Sequence, residues 1–194
     1  KSAELTYVNY GERYEMADDM IYADSGEGRT VFYTAYYKKG TQSYHAVAPD
    51  QGALILTAGH CSGRTGITEV KLDAANMILA PGNFSGCTGV TDVTFSSLPK
   101  DWGGSLFGGS GVQNIRIMAG GKNLSLPEQF VKDCTSLVSV RVEGNVQSGS
   151  EIVIPDGCFD GCSNLRLFDI VERQSRDAVT EIGADSFRGC SSLT

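Results

Sequence analysis

Several features that mark functional classes are scarce or missing in this sequence. Basic charge is scarce. The chain carries 16 Lys and Arg against 23 Asp and Glu, for a formal net charge of -7. That balance argues against a nucleic-acid partner, because phosphate binding needs clustered cations. No run of about 18 apolar residues occurs, so no transmembrane segment is expected. Nor does an apolar stretch follow a basic start, and an export signal is expected to have been removed from a protein that acts outside the cell. Cys-x-x-Cys pairs are missing and the chain has only 2 His. Cys158 and Cys162 have poor zinc spacing, so no metal site and no cofactor is expected. Proline is sparse, at 5 residues, whereas Gly, at 24, has about twice its usual share of roughly 7%. Many glycines with few prolines suit a chain that turns often and tightly. Hydrophobic content of 41% and charged content of 20% are ordinary for a folded domain. A chain of 194 residues is long enough for one well-buried domain or one stacked array.

Internal repeats decide between those two. Phe159-Asp-Gly-Cys162-Ser-Asn-Leu165 recurs as Phe187-Arg-Gly-Cys190-Ser-Ser-Leu193, and earlier as Val131-Lys-Asp-Cys134-Thr-Ser-Leu137 and Phe84-Ser-Gly-Cys87-Thr-Gly-Val90. Cys61-Ser-Gly-Arg64-Thr-Gly-Ile67 precedes them. A degenerate copy, Leu106-Phe-Gly-Gly109-Ser-Gly-Val112, is read with Leu106 in the Phe place and Gly109 in the Cys place. From Ile67 through Val90, Val112, Leu137 and Leu165 to Leu193 the steps are 23, 22, 25, 28 and 28 residues. Leucine-rich repeats have periods of roughly 20–29 residues.

Each copy continues into alternation. Ile67-x-x-Val70-x-Leu72 is matched by Val90-x-x-Val93-x-Phe95, Val112-x-x-Ile115-x-Ile117, Leu137-x-x-Val140-x-Val142 and Leu165-x-x-Phe168-x-Ile170. This is the period of a strand with one buried face. Five residues before the Phe place stands another apolar anchor: Leu56, Leu79, Leu126, Ile154 or Ile182, with Pro81, Pro127 and Pro155 close behind three of them. Each repeat therefore reads as anchor, Pro/Gly turn, a short helical turn carrying Phe-x-x-Cys, and a strand. The array occupies residues 54–194 as five repeats and a truncated sixth. Residues 1–53 differ, since all 8 Tyr lie between Tyr7 and Tyr44. Met20-Ile-Tyr-Ala and Thr30-Val-Phe-Tyr-Thr-Ala-Tyr-Tyr, joined through Asp24-Ser-Gly-Glu-Gly-Arg29, predict a β-hairpin. Its expected role is to cap the apolar end of the stack, with an aromatic ligand platform as the alternative.

The repeated Phe-x-Gly-Cys-x-x-Leu unit resembles the BspA-like leucine-rich repeats of secreted and cell-surface bacterial proteins. That resemblance implies an α/β fold leaning to β, a right-handed, horseshoe-like solenoid of strands and short helical turns. It also implies a non-catalytic role in adhesion or ligand binding, with a host or matrix protein or a glycan as partner, outside the cell. A passive spacer module is the alternative.

The repeat frame assigns most of the conspicuous residues to packing. Phe84, Val131, Phe159 and Phe187 are expected in equivalent core places, because one repeat alone cannot bury its apolar face. Cys87, Cys134, Cys162 and Cys190 should form a buried column of reduced thiols, with bridging between coils as the alternative. Ile55-Leu-Thr-Ala-Gly-His60-Cys61 looks like the histidine motif of trypsin-like serine proteases, which makes a hydrolase a distant reading. However, Phe107-Gly-Gly-Ser110-Gly lacks the Asp of that family's serine motif. The frame instead places His60 opposite Cys158, just before a core position. Candidate ligand-binding residues are those projecting between the apolar strand positions. They form two rows: Glu69, Asp92, Asn114, Ser139 and Leu167, then Lys71, Thr94, Arg116, Arg141 and Asp169. Arg116 and Arg141 as neighbours in an acidic chain point to an anionic partner, unless nearby carboxylates neutralise them.

Overall fold

The structure, a computed structural model, describes residues 14–24, 30–38, 43–47, 53–56, 62–63, 65–73, 76–98, 101–102, 104–118, 123–144, 151–170 and 181–194. In chain order the strands are β1 (Tyr14–Asp24), β2 (Thr30–Lys38), β3 (Ser43–Val47), β4 (Ala53–Leu56), β5 (Glu69–Asp73), β6 (Asn76–Leu79) and β7 (Asp92–Phe95). They continue with β8 (Asp101–Trp102), β9 (Asn114–Met118), β10 (Leu124–Ser125), β11 (Ser139–Glu143), β12 (Ile152–Ile154), β13 (Leu167–Ile170) and β14 (Glu181–Ile182).

The alternating apolar runs become β5, β7, β9, β11 and β13, which lie side by side and parallel in one sheet. Their inward residues, from Val70 and Leu72 to Val140 and Val142, are buried. The anchor segments are strands as well, a feature that the Pro/Gly turn reading passed over. Strands β4, β6 and β8 form one small parallel sheet, and β10, β12 and β14 another. Trp102 stands in register with Leu79, so the third copy does have an anchor. The described repeats thus form a parallel β-solenoid, with its core between the main sheet and the anchor strands.

The expected helical turns do not form, and among the described residues there is no helix. The cause lies in the backbone of the turn. One position, two residues after the Phe place, is held by Gly63, Gly86, Gly109, Asp133, Gly161 and Gly189, all with φ between 60° and 78°. A second, two residues before it, has φ of 65° at Gly82, 52° at Gln129, 59° at Gly157 and 56° at Asp185. A right-handed helix needs negative φ throughout, so left-handed residues at this spacing interrupt it. The amides find other partners. Alternate N–H groups donate to the following coil, as from Gln129 to Asp156, Val131 to Cys158 and Asp133 to Asp160, at 3.2, 3.0 and 2.7 Å. Those between them close local turns, as from Cys134 to Val131 at 3.1 Å. Every second backbone donor in these turns therefore ties one coil to the next.

Phenyl rings run through the core. Phe84 stacks on Phe107 at 5.4 Å, Phe95 lies 5.9 Å from Phe130, Phe130 meets Phe159 edge-on at 6.4 Å, and Phe159 stacks on Phe187 at 5.1 Å. Phe84, Val131 and Phe159 are fully buried as expected, but Phe187 is only half-buried and Ile182 is 59% exposed. Both belong to the last described coil, which has a neighbour on one side only. The third copy also needs a corrected register. Phe107 occupies the Phe place, Leu106 joins Asn83, Phe130, Cys158 and Ser186 in a second buried column, and Ser110 takes the place of the Cys. The missing residue falls between Ser110 and Val112, whereas counting back from Val112 had shifted the whole unit by one.

At the other end, β1 pairs antiparallel with β2, β2 antiparallel with β3, and β3 parallel with β5. The segment expected as a hairpin cap thus continues the main sheet as three more strands. An unpaired edge of β5 would expose a row of N–H and C=O groups, and β3 satisfies it. Residues 25–29 and the tyrosine side chains lie outside the described residues.

Candidate functional site on the strand face

The two rows read from the sequence stand side by side in the main sheet. In the first row Glu69 pairs in register with Asp92, Asp92 with Asn114, Asn114 with Ser139 and Ser139 with Leu167. In the second, Lys71 pairs with Thr94, Thr94 with Arg116, Arg116 with Arg141 and Arg141 with Asp169. Backbone register extends this second row to His45 of β3. A groove of about 420 Å³ lies over the face, lined among the described residues by eight of the ten row residues, all but Lys71 and Asp169, together with the core strand positions Val93 and Ile115.

The polar side chains of the first row are joined across three coils. Asn114 Nδ2 donates to Asp92 Oδ1 at 3.1 Å, Ser139 Oγ donates to Asn114 Oδ1 at 2.9 Å, and Thr91 Oγ1 donates to Asp92 Oδ2 at 2.7 Å. This ladder holds the amide in one orientation and fixes the floor of the groove. In the second row the two arginines differ. Arg116 Nε lies 3.0 Å from Glu143 Oε1, a carboxylate one strand over and two residues further along. Lys71 is likewise 3.0 Å from Glu69. Arg141 is exposed and makes no ion pair among the described residues. Sequence alone did not show which arginine is neutralised. The signal was Glu143, six residues after Leu137 and so on the same face one step beyond the second row.

Of the protease-like reading, the structure describes the serine but not the histidine. Ser110 is 6% exposed, at the Cys place inside the core, and the Val112 amide donates to its Oγ at 3.4 Å. A serine in that position is enclosed by packing. His60 lies outside the described residues. Among the described residues no group of three or more His, Cys, Asp or Glu is placed to hold a metal ion, and no helix is long and apolar enough to cross a membrane.

Residues 60–194 match the model of the BspA type leucine rich repeat region, in six copies. The chain belongs to the BspA-type leucine-rich-repeat family. Among solved structures it is similar to a leucine-rich-repeat protein from T. pallidum, at 18% identity over 84% of this chain and 88% of that one, with a TM-score of 0.36. It is also similar to a leucine-rich-repeat protein from Bacteroides ovatus ATCC 8483, at 14% identity over 97% of this chain and 82% of that one, with a TM-score of 0.22. No curated protein matches the sequence.

In this BspA-type stack the Cys place is a chemically quiet column. Cys87, Cys134 and Cys162 of that column and Cys158 of the second buried column are buried thiols in no disulfide, and the half-buried Cys190 is in none either. Burial pushes the thiol of Cys134 up to about 11 and that of Cys162 up to about 12, and raises those of Cys158 and Cys190. Cys162 Sγ donates to Val131 O and Cys190 Sγ to Phe159 O, both at 3.1 Å. Thiols held so are poor nucleophiles. Cys61 lies outside the described residues.

A second charged cluster lies away from the strands, on the turns of three successive coils. Asp160, 7% exposed, accepts from Arg188 Nε at 2.9 Å and from Arg188 Nη2, with Lys132 Nζ at 3.8 Å on its other side. Arg188 also reaches Asp185 at 3.0 Å. The Arg188 guanidinium, by hydrogen bond and charge, holds the Asp160 carboxyl below its ordinary range. These four charges are paired with one another, so the cluster ties the coils together.

Proposed function

We propose that this chain is a non-catalytic binding module of a secreted or cell-surface bacterial protein, and that it recognises a protein or glycan through the exposed strand face. A repeat protein of this family is suited to interaction, and residues 54–194 supply the recognition array while residues 1–53 extend it. The observation that carries the reading is the groove, in which rows from five adjacent strands are aligned and three of those strands are linked by side-chain hydrogen bonds. Alignment of this kind lends a ligand many contacts without side-chain rearrangement. A passive spacer has no need of such a face.

The experiment is a binding screen of the full chain against purified matrix proteins and glycans, followed by alanine variants. Arg141→Ala should weaken binding of a ligand found in the screen with no change in melting temperature. Arg116→Ala should do so less, because Glu143 already holds that side chain. Added salt should weaken binding too, since exposed charges are screened within about 10 Å at 0.1 M. A ligand bound equally well by the wild type and by the double variant would place the site elsewhere.

A further inference from the structure

The chemistry of the groove narrows the partner, given the strand-face reading above. Lys71 and Arg116 are held by carboxylates of the same sheet face. Two groove charges have no ion-pair partner among the described residues: Asp92, which accepts hydrogen bonds from Thr91 and Asn114, and Arg141. They are of opposite sign and stand on different rows, with β9 between their strands. Two strand spacings of about 4.8 Å and two residues of about 3.3 Å rise separate them by about 12 Å on the diagonal. An extended polypeptide places residues i and i+4 on one face about 13 Å apart. The spans agree.

Two further features favour a polypeptide over a sugar. None of the described residues that line the groove is aromatic, so none of them offers a ring on which the flat face of a pyranose could stack. At the Arg141 end, Leu167 is 37% exposed and offers an aliphatic contact beside the cation. We infer that the groove takes an extended segment of a partner protein that carries a basic and an acidic side chain four residues apart, the basic one over Asp92 and the acidic one over Arg141. Unpaired charges of opposite sign at the two ends fix the direction of the bound segment, because the reversed segment would meet like charges.

The test uses labelled nonapeptides in a Ser/Thr/Val background, read by fluorescence anisotropy against the full chain. One set has Lys and Glu at i and i+4 in both orders, another has them at i and i+2, and two more carry a single charge. One order at i+4 spacing should bind roughly three- to fivefold more tightly than the i+2 or single-charge peptides, the scale of one exposed ion pair. Arg141→Glu should remove that advantage, and a peptide with Lys in place of its Glu should restore it on this variant. Equal affinity at both spacings, absence of binding by every peptide, or failure of the charge swap overturns the inference. A uronic-acid oligosaccharide is run in parallel. If it binds in an Arg141-dependent way and the peptides do not, the polypeptide reading fails while the strand-face site stands. If a ligand binds the wild type, Arg141→Glu and Asp92→Lys alike, with melting temperatures unchanged, the strand-face site itself fails.

Discussion

Replacing Phe159 by Ala probes how the coils are held together. The ring is fully buried, stacked on Phe187 at 5.1 Å, edge-on to Phe130 at 6.4 Å and 5.4 Å from Phe168. It therefore touches the coil before, the coil after and the strand of its own coil. Truncation of a buried Phe costs about 3–5 kcal/mol, through lost transfer energy and the cavity left behind. For a chain of this length that lowers the melting temperature by roughly 6–20 °C. Phe187→Ala is the internal control: its ring lies in the last described coil and is half-buried, so its loss should cost about half as much or less. Urea denaturation followed by circular dichroism measures both. A loss under about 1 kcal/mol for Phe159→Ala, well below the range for core phenylalanines, or a larger loss for Phe187→Ala, would show the register of the stack to be wrong.

Other expectations follow from single contacts. A Cβ on Gly111 would stand 2.1 Å from the Thr88 carbonyl oxygen, a backbone atom that cannot swing aside, so Gly111→Ala should destabilise by about 1–3 kcal/mol in the same assay, and an unchanged midpoint would refute the close approach. Because its folded-state pKa is lowered, Asp160 contributes stability that is present above its unfolded pKa, about pH 4, and lost as pH falls through the folded value. The melting-temperature advantage of wild type over Asp160→Asn should accordingly be full at pH 6 and shrink below pH 4, and a constant difference across that range would contradict the ion-pair assignment. In thiol titration without reductant, the groups of Cys134, Cys158 and Cys162 should react only after denaturation. Fewer than five thiols in the denatured chain would mean that coils are bridged.

The strands of the main sheet and both rows of exposed residues could be read from the sequence because alternation has one meaning once a face is buried: Val140 and Val142 go in, so Ser139 and Arg141 go out. The turns were misread for a local reason. Phe-x-x-Cys has a spacing compatible with one helical turn, and the deciding information lay in the left-handed residues, of which Gln129, Asp133 and Asp185 are not glycines and carry no obvious mark. Phe107 was displaced because a one-residue deletion can be placed on either side of Gly-Gly-Ser with equal fit. Only the inter-coil hydrogen bonds and the stack on Phe84 separate the choices. The pairing of Arg116 with Glu143 depends on which rotamers neighbouring strands allow, and no pattern within one repeat encodes it.

The direct test of a strand-face binding module is site-specific photo-cross-linking. A photoreactive residue is placed at Ser139, within the groove, or at Thr88 or Thr135, exposed on the turns. Each variant is irradiated with a ligand identified in the binding screen. Cross-linking from position 139 and none from positions 88 and 135 is the predicted result. Cross-linking from the turns with none from position 139 would contradict the assignment of the strand face.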